Sequence, residues 1–159
     1  DFFDGEKEEK LLLGEIKSIN KSKLRKSVTH GDFHGPNLLT SNNKLTAILD
    51  WDDAHEDFLV QENVAFIAHS FITENKIDWK GINLYLKEYQ KNLKLNEEEK
   101  KAIYYFIKYR YLGSIYWHIK QIKAHPDKKA EIRRNLKNGL VKQYSQFNKI
   151  SFEKLFKRI

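Results

Sequence analysis

The sequence predicts one mainly helical α+β domain in which helices surround a small β-hairpin. Apolar residues recur at helical spacing along most of the chain, and only one stretch holds two short apolar runs separated by a polar turn. The length of 159 residues is enough for one hydrophobic core but too short for two full-sized domains. Residues 1–159 are therefore predicted to form a single domain.

The first predicted element is a helix. Residues 6–20 place Leu12, Leu13 and Ile16 at helical spacing among charged residues. The polar stretch at 20–27, rich in Lys and Ser, then interrupts this pattern and is expected to end the helix.

A β-hairpin is predicted next. Between residues 28 and 53 the apolar runs become short and are separated by turn-forming residues. Residues 38–40 and 45–49 read as two strands, and the polar segment 41–43 reads as the turn between them. We expect this hairpin to be the only strand region.

Helices are predicted for the rest of the chain. Asn96 is a preferred N-cap residue, and the three glutamates that follow it lie at the positive end of the helix dipole. Gly139 is expected to weaken the helix that contains it. The predicted helices are 60–73, 79–93, one that begins after Asn96, 127–147, and a short one that begins at Ser151.

Composition excludes several classes of site. The chain has no cysteine, which excludes disulfides, thiolate metal sites and a cysteine nucleophile. No apolar run approaches the length needed to cross a bilayer, so we expect no membrane segment. The chain also has no methionine and begins with Asp1, so we expect it to be part of a longer protein.

Positive charge is concentrated late in the chain. Residues 120–159 hold 12 Lys or Arg against 3 Asp or Glu, within a formal net charge of +7 for the whole chain. Such a segment either binds an anionic partner or forms a solvated helical face. Because no nucleic-acid motif accompanies it, we favour the solvated face and expect no nucleic-acid or membrane partner.

The chemically informative segment is residues 30–37, with the sequence His-Gly-Asp-Phe-His-Gly-Pro-Asn. Gly31, Gly35 and Pro36 prevent a regular helix there, so the segment is predicted to be a shaped loop.

Three oxygen-bearing side chains are expected to converge at this loop. The loop can direct Asp32 and Asn37 into one cleft, and the hairpin that follows brings Asp50 back to it. Two carboxylates and one amide oxygen suit a hard, oxygen-preferring cation such as Mg²⁺.

The sequence disfavours two other kinds of metal site. His30 and His34 are four residues apart, as in a zinc-binding helix, but the loop-breaking residues forbid that helix and no glutamate base lies between them. The acids at 50, 52, 53, 56 and 57 lack the glycine and the terminal Glu spacing of a calcium loop.

The motif has the spacing of the kinase loop H-x-D-x-x-x-x-N followed by a metal-binding Asp. With His-Gly-Asp and Asp-Trp in place of His-Arg-Asp and Asp-Phe-Gly, it resembles the aminoglycoside phosphotransferase family. That family is kinase-like and includes choline and homoserine kinases and a few protein kinases. The resemblance covers about residues 29–68 and implies the C-terminal catalytic lobe of the kinase-like fold.

The resemblance assigns a role to each motif residue. Asp32 corresponds to the catalytic base, and Asn37 and Asp50 correspond to the ligands of Mg²⁺. His30 corresponds to the histidine that organises the loop. His34 stands where protein kinases place a phosphate-contacting lysine, so a contact with the γ-phosphate is expected of it.

Further positions follow from the same resemblance. Glu62 stands twelve residues after Asp50, where the family usually has an Asp that supports the catalytic loop. Asp52 and Asp53 either extend the site or cap the local structure. We take Asp52 as supporting, and Asp53 with Trp51 as candidate substrate contacts.

The implied function is ATP-dependent transfer of a phosphoryl group to a hydroxyl of a small molecule such as an aminoglycoside, choline, homoserine or a sugar, in the cytoplasm. The alternatives are a kinase that acts on protein Ser or Thr, and a catalytically inactive binding or structural relative. The intact Asp32, Asn37 and Asp50 argue against an inactive relative.

The nucleotide-binding half of a kinase has no counterpart in the sequence. The 7 glycines are scattered, and none forms a Gly-rich loop after a strand. We therefore expect the missing N-terminal lobe of the same protein to be a partner, and this chain alone to be inactive.

Aromatic residues crowd one predicted helix. In choline-type relatives such residues enclose a cationic substrate, but core packing is the more common role and the one predicted here. They are Tyr104, Tyr105, Tyr109, Tyr111, Tyr116 and Trp117.

Overall fold

The computed structural model describes residues 5–156 and confirms the mainly helical α+β class. The helices are α1 (Gly5–Ser18), α2 (Val60–Ser70), α3 (Trp79–Asn92), α4 (Glu97–Ala124), α5 (Lys129–Asn138), α6 (Leu140–Asn148) and α7 (Phe152–Phe156). The strands are β1 (Lys26–Thr29), β2 (Leu38–Ser41), β3 (Lys44–Ile48) and β4 (His55–Phe58). None of the helices in this range has the length and apolar character needed to cross a bilayer.

Helix α4, 28 residues long, is the centre of the fold. It contacts α1, α2, α5, α6 and α7, and it buries Ile103, Ile107 and Ile115 completely. Its start is fixed by a capping box, in which Asn96 accepts from the Glu99 N–H and the Glu99 carboxylate accepts from the Asn96 N–H. The predicted helix start after Asn96 is confirmed.

An ion pair with a buried carboxylate joins α4 to the segment that enters β1. The Glu99 side chain is 1% exposed, and its two oxygens accept from Arg25 Nε at 2.6 Å and Arg25 Nη2 at 2.5 Å. The same Nη2 also donates to the carbonyl of Lys94. Because β1 leads directly into the loop at 30–37, this pair positions the loop relative to the core.

The predicted hairpin is present as the antiparallel pair β2–β3. Its two-residue turn consists of Asn42 and Asn43, which have φ values of 51° and 60°. Asn adopts positive φ more readily than most residues, and the twist of such a turn suits a tight hairpin.

A second two-stranded sheet pairs β1 with β4, from Lys26 opposite Phe58 to Thr29 opposite His55. The expectation that the hairpin is the only strand region is therefore wrong. Strand β4 has the sequence His-Glu-Asp-Phe, in which polar residues predominate and no alternation of apolar residues appears. The pairing depends on the tertiary structure and not on a local signal.

The predicted helix at 127–147 is wrong as a single element. It is divided at Gly139 into α5 and α6, and Pro126 begins a short 3-10 turn before α5. Gly139 has φ −103° and ψ −97°, which is outside the helical region, so the expected weakening at this glycine is a complete break.

Candidate functional site

The loop at 30–37 leaves β1 through a glycine that no other residue replaces easily. Gly31 has φ +83°, and a Cβ built on it would lie 2.5 Å from the carbonyl oxygen of Asp53. The absence of a side chain therefore lets the backbone that follows the hairpin approach the loop closely.

Asp32 lies on this loop with its carboxylate 37% exposed. Its Oδ2 is 2.9 Å from His34 Nε2, and its Oδ1 accepts from Arg110 Nη2 at 3.2 Å. The carboxylate is thus partly exposed to solvent and has a basic group on each oxygen.

His30 holds the loop to the hairpin. Its ring is buried, and Nε2 donates to the carbonyl of Leu49 across 2.7 Å, which leaves Nδ1 to accept from the Asp32 N–H at 3.3 Å. Its own backbone N–H donates to Glu62 Oε1. One residue therefore connects the loop, the end of β3 and helix α2.

Asn37 closes the other end of the loop. Its Nδ2 donates to the carbonyl of Asp32 at 3.0 Å and lies 3.4 Å from His34 Nε2. Its backbone carbonyl accepts from the Leu49 N–H at 2.8 Å. Leu49 is thus bonded on both its N–H and its carbonyl to the loop at 30–37.

Asp50 follows Leu49 directly and has φ +63°. The two bonds at Leu49 hold it against the loop that carries Asp32 and Asn37, and its side chain is exposed. The structure therefore brings the loop and the hairpin end together at the three predicted positions.

The residues present fit Mg²⁺. No group of three or more His, Cys, Asp or Glu residues that could hold a metal is found within residues 5–156. Mg²⁺ does not need one, because it usually keeps several waters and takes one or two carboxylates plus substrate phosphates. Within the same range, the Asp50 carboxylate and Asn37 Oδ1 have no hydrogen-bond partner, so both are available as oxygen ligands.

The remaining predicted residues occupy the surroundings of the loop. Trp51 donates from Nε1 to the carbonyl of Ile48 at 2.9 Å, and its ring lies 4.8 Å from that of His30. Asp53 accepts a bond from His55 Nδ1 through its backbone carbonyl, and Asp52 is exposed. Substrate contact by Asp53 or Trp51 stays a prediction, and so do the support by Asp52 and the phosphate contact by His34.

Sequence reasoning missed two residues at the site, Arg110 and His69. Arg110 Nε and Nη2 lie 3.3 Å and 3.2 Å from His69 Nε2, and the His69 ring lies 5.2 Å from that of His34. Arg110 is 78 positions from Asp32 along the chain, and no spacing rule connects them. The only local feature of the sequence that could have drawn attention to Arg110 is its position as a cationic residue among the aromatic residues of α4.

Arg110 forms an ion pair with Asp32, and the third member of the cluster, His69, has a lowered pKa. Burial lowers the pKa of His69 below 6.5, and the neighbouring Arg110 and His34 lower it further. A neutral His69 ring accepts the Arg110 hydrogen bond without adding charge.

Two cavities meet at Arg110. The smaller, about 180 Å³, also borders Gly31 and Glu62, and the larger, about 440 Å³, extends to Lys21 and Tyr109. Asp57, Gln61 and Arg110 line both. Glu62 Oε2 is buried and has no hydrogen-bond partner within the described part of the chain.

The aromatic residues of α4 divide into two groups. Tyr104 and Tyr111 are buried, in agreement with the predicted core packing. Tyr109 and Trp117 are 46% and 56% exposed, so the predicted core packing is wrong for these two rings, which lie on the open face of the helix.

Comparison with known proteins agrees with the motif. A model of the phosphotransferase enzyme family matches residues 4–81, a range that contains the loop, the hairpin and α2. No curated protein and no solved structure gave a significant match. The predicted resemblance is confirmed over residues 4–81.

Proposed function

We propose, from the match of residues 4–81 to the phosphotransferase enzyme family, that the chain carries the catalytic residues of a small-molecule kinase. The proposed reaction transfers the γ-phosphoryl group of ATP to a hydroxyl. The observation that carries the proposal is the double hydrogen bond at Leu49, which holds Asp50 against the loop that bears Asp32 and Asn37.

In the proposed reaction Asp32 is the general base. The acceptor oxygen attacks the γ-phosphorus and forms the new P–O bond, the bond from that phosphorus to the β,γ-bridging oxygen breaks, and ADP leaves with the electron pair. The hydroxyl proton passes to the Asp32 carboxylate. Asp32 is suited to this step because it lies on a fixed loop and its side chain is 37% exposed to solvent.

Asn37 and Asp50 are proposed to bind Mg²⁺. Bound there with ATP, the ion would neutralise charge on the phosphates. Asn37 is oriented for this task because its Nδ2 is held by the Asp32 carbonyl, which leaves Oδ1 as the free end of the amide.

His30 and Glu62 are proposed to position the base and not to contact substrate. His30 bonds the Asp32 N–H through Nδ1, and Glu62 accepts from the His30 N–H. Both therefore act on Asp32 through the backbone of the loop, and their loss should misplace the carboxylate.

We further propose that the nucleotide is covered by a β-rich lobe that lies outside this sequence. Kinase-like enzymes use a Gly-rich loop and a Lys–Glu pair for this purpose, and the sequence contains no Gly-rich loop. Activity is accordingly expected of the intact protein that includes such a lobe.

The test is Asp32→Asn in the intact protein, assayed with ATP, Mg²⁺ and a panel of amines, sugars, amino alcohols and peptides. We expect kcat to fall by about 10²- to 10⁴-fold because the amide cannot take the proton. Asp127→Asn, an exposed aspartate before α5, is the matched control and should keep full activity. Normal turnover by Asp32→Asn with an unchanged melting temperature would remove Asp32 from this role.

A further inference from the structure

Arg110 contacts the proposed base yet comes from a different part of the chain. It lies on α4, its guanidinium is 32% exposed, and its Nη2 donates to Asp32 Oδ1 at 3.2 Å. The His69 ring accepts a hydrogen bond from Arg110 Nε at its Nε2 atom, which also lies close to Arg110 Nη2. The second terminal amino group, Nη1, has no partner among residues 5–156.

This position places a fixed positive charge where an acceptor must bind. Arginine stays protonated at all relevant pH values and forms paired hydrogen bonds with carboxylates and phosphates. An acceptor hydroxyl near Asp32 brings its neighbouring substituents within reach of Nη1. A cationic substituent there would be repelled, whereas an anionic one would gain a charge-assisted hydrogen bond.

The two cavities that Arg110 lines carry charges of both signs. Lys21 adds a second cation to the larger cavity that begins at Arg110. The acid that lines both cavities, Asp57, has Oδ1 engaged by the Phe58 N–H and Oδ2 lying 3.7 Å from His55. Glu62 is held on one oxygen by the loop, and its other oxygen is buried.

We propose that Arg110 determines acceptor specificity, and that the acceptor is a hydroxyl compound with a carboxylate or phosphate a few bonds from the reacting oxygen. This inference rests on the proposed kinase function. Arg110 binds the acid group through Nη1 while Nη2 keeps its bond to Asp32, so the hydroxyl is placed at the base. Its proton then passes to Asp32 as the γ-phosphoryl group of ATP is transferred to the oxygen and ADP leaves.

The experiment compares acceptors that differ mainly in charge, using the intact protein with ATP and Mg²⁺. One series is glycerate, glycerol and 3-amino-1,2-propanediol, and a second is glucuronate, glucose and glucosamine. Glycerol 3-phosphate tests the phosphate form of the acid group. We expect kcat/KM for the best anionic acceptor to exceed that of its neutral partner by about 10- to 100-fold, the range of a hydrogen bond to a charged group.

Variants of Arg110 assign this preference to the guanidinium. Arg110→Gln should lower the ratio of kcat/KM for anionic over neutral acceptors by the same factor of about 10- to 100-fold, because loss of its bond to Asp32 affects both kinds of acceptor and cancels in that ratio. Arg110→Lys should recover part of the preference because it restores the charge without the paired donors. Arg134→Gln, which removes an exposed arginine of α5, should leave the preference unchanged. Circular dichroism and the melting temperature establish that each variant is folded.

The outcomes separate this inference from the proposed function. Preferential phosphorylation of a neutral or cationic acceptor, or an unchanged preference in Arg110→Gln, would overturn the role of Arg110 and leave the kinase function in place. Asp32-dependent ATP turnover that no anionic acceptor increases would likewise overturn the role of Arg110 and leave the kinase function in place. Absence of any Asp32-dependent phosphoryl transfer would overturn both.

Discussion

The helical body and the layer of loop and strands that bears the candidate site are held together in different ways. In the body, Ile103, Ile107 and Ile115 of α4 are fully buried and pack against the surrounding helices. In the layer, Leu39 and Leu45 of the hairpin are about half exposed, and each sheet has only two strands. Two-stranded sheets are marginal in water without a packed face.

The layer contacts the helices through the rings of Phe33 and Phe58 and through a few polar contacts. Glu62 of α2 accepts from the loop at His30, Glu99 of α4 holds Arg25 ahead of β1, and Arg110 of α4 contacts Asp32. Hydrogen bonds to charged groups are individually strong and directional. The site is therefore positioned by a small number of charged side chains on rigid helices, and single substitutions should separate its geometry from the stability of the body.

The largest stability effect is expected where the two regions are joined by the ion pair of Arg25 with the buried Glu99. Glu99→Ala removes the hydrogen bonds to Arg25 and the capping box, which should reduce the free energy of unfolding by about 2–5 kcal/mol. Glu97→Ala is the matched control from the same helical turn, because Glu97 forms an exposed pair with Lys100 worth at most about 1 kcal/mol. Urea unfolding measures both, and equal losses would contradict the importance assigned to burial.

The ion pair of Arg25 and Glu99 also predicts that the stability of the fold depends on pH. Burial on its own would raise the pKa of Glu99, but hydrogen bonds from the Arg25 side chain and the Asn96 N–H outweigh it and hold that pKa below 4.5. A carboxyl with a lower pKa in the folded state contributes stability above its unfolded pKa and loses it as the pH falls through the folded value. Below pH 4.5 the unfolding curve of the wild type should therefore approach that of Glu99→Ala.

A smaller effect is expected within the layer. Gly31→Ala places a Cβ at positive φ and 2.5 Å from the Asp53 carbonyl oxygen, so the loop must shift. We expect a loss of about 1–3 kcal/mol in stability, the cost of such a backbone conformation. Gly35→Ala in the same loop has nothing within 4 Å of the new Cβ and should stay within about 0.5 kcal/mol of wild type. Indistinguishable melting temperatures for the two variants would show that the loop is not constrained at Gly31.

The difference between the helical body and the layer also explains which parts of the structure could be predicted from the sequence. The helices of the body follow from local periodicity, and the hairpin follows from two apolar runs around Asn42 and Asn43. The predicted positions Asp32, Asn37 and Asp50 lie around two hydrogen bonds at Leu49, one from the His30 side chain and one to the Asn37 carbonyl.

The features that the sequence did not reveal are long-range and polar. Strand β4 has no apolar alternation and is defined only by its pairing with β1. The contact of Arg110 with Asp32 joins α4 to the loop across 78 positions. Such contacts result from how the helices pack, and single-sequence periodicity carries no information about them.

The smallest effect compares two histidines at opposite edges of the site. A hydrogen bond to the Asp53 carbonyl raises the pKa of His55 above 6.5, with a further contribution from Asp57. Burial, Arg110 and His34 lower the pKa of His69. In an NMR titration, His69 should lose its proton at a lower pH than His55.

Arg110→Gln sharpens this last prediction because it removes one of the charges that act on His69. The His69 midpoint should rise toward 6.5, while that of His55, whose partners are Asp53 and Asp57, should stay in place. The two rings also act oppositely on stability: the contribution of His55 is lost as the pH rises through its raised pKa, and that of His69 is lost as the pH falls through 6.5. If both midpoints moved together in the variant, the substitution would have rearranged the whole layer, and Arg110 would then support the structure of the site as well as its charge.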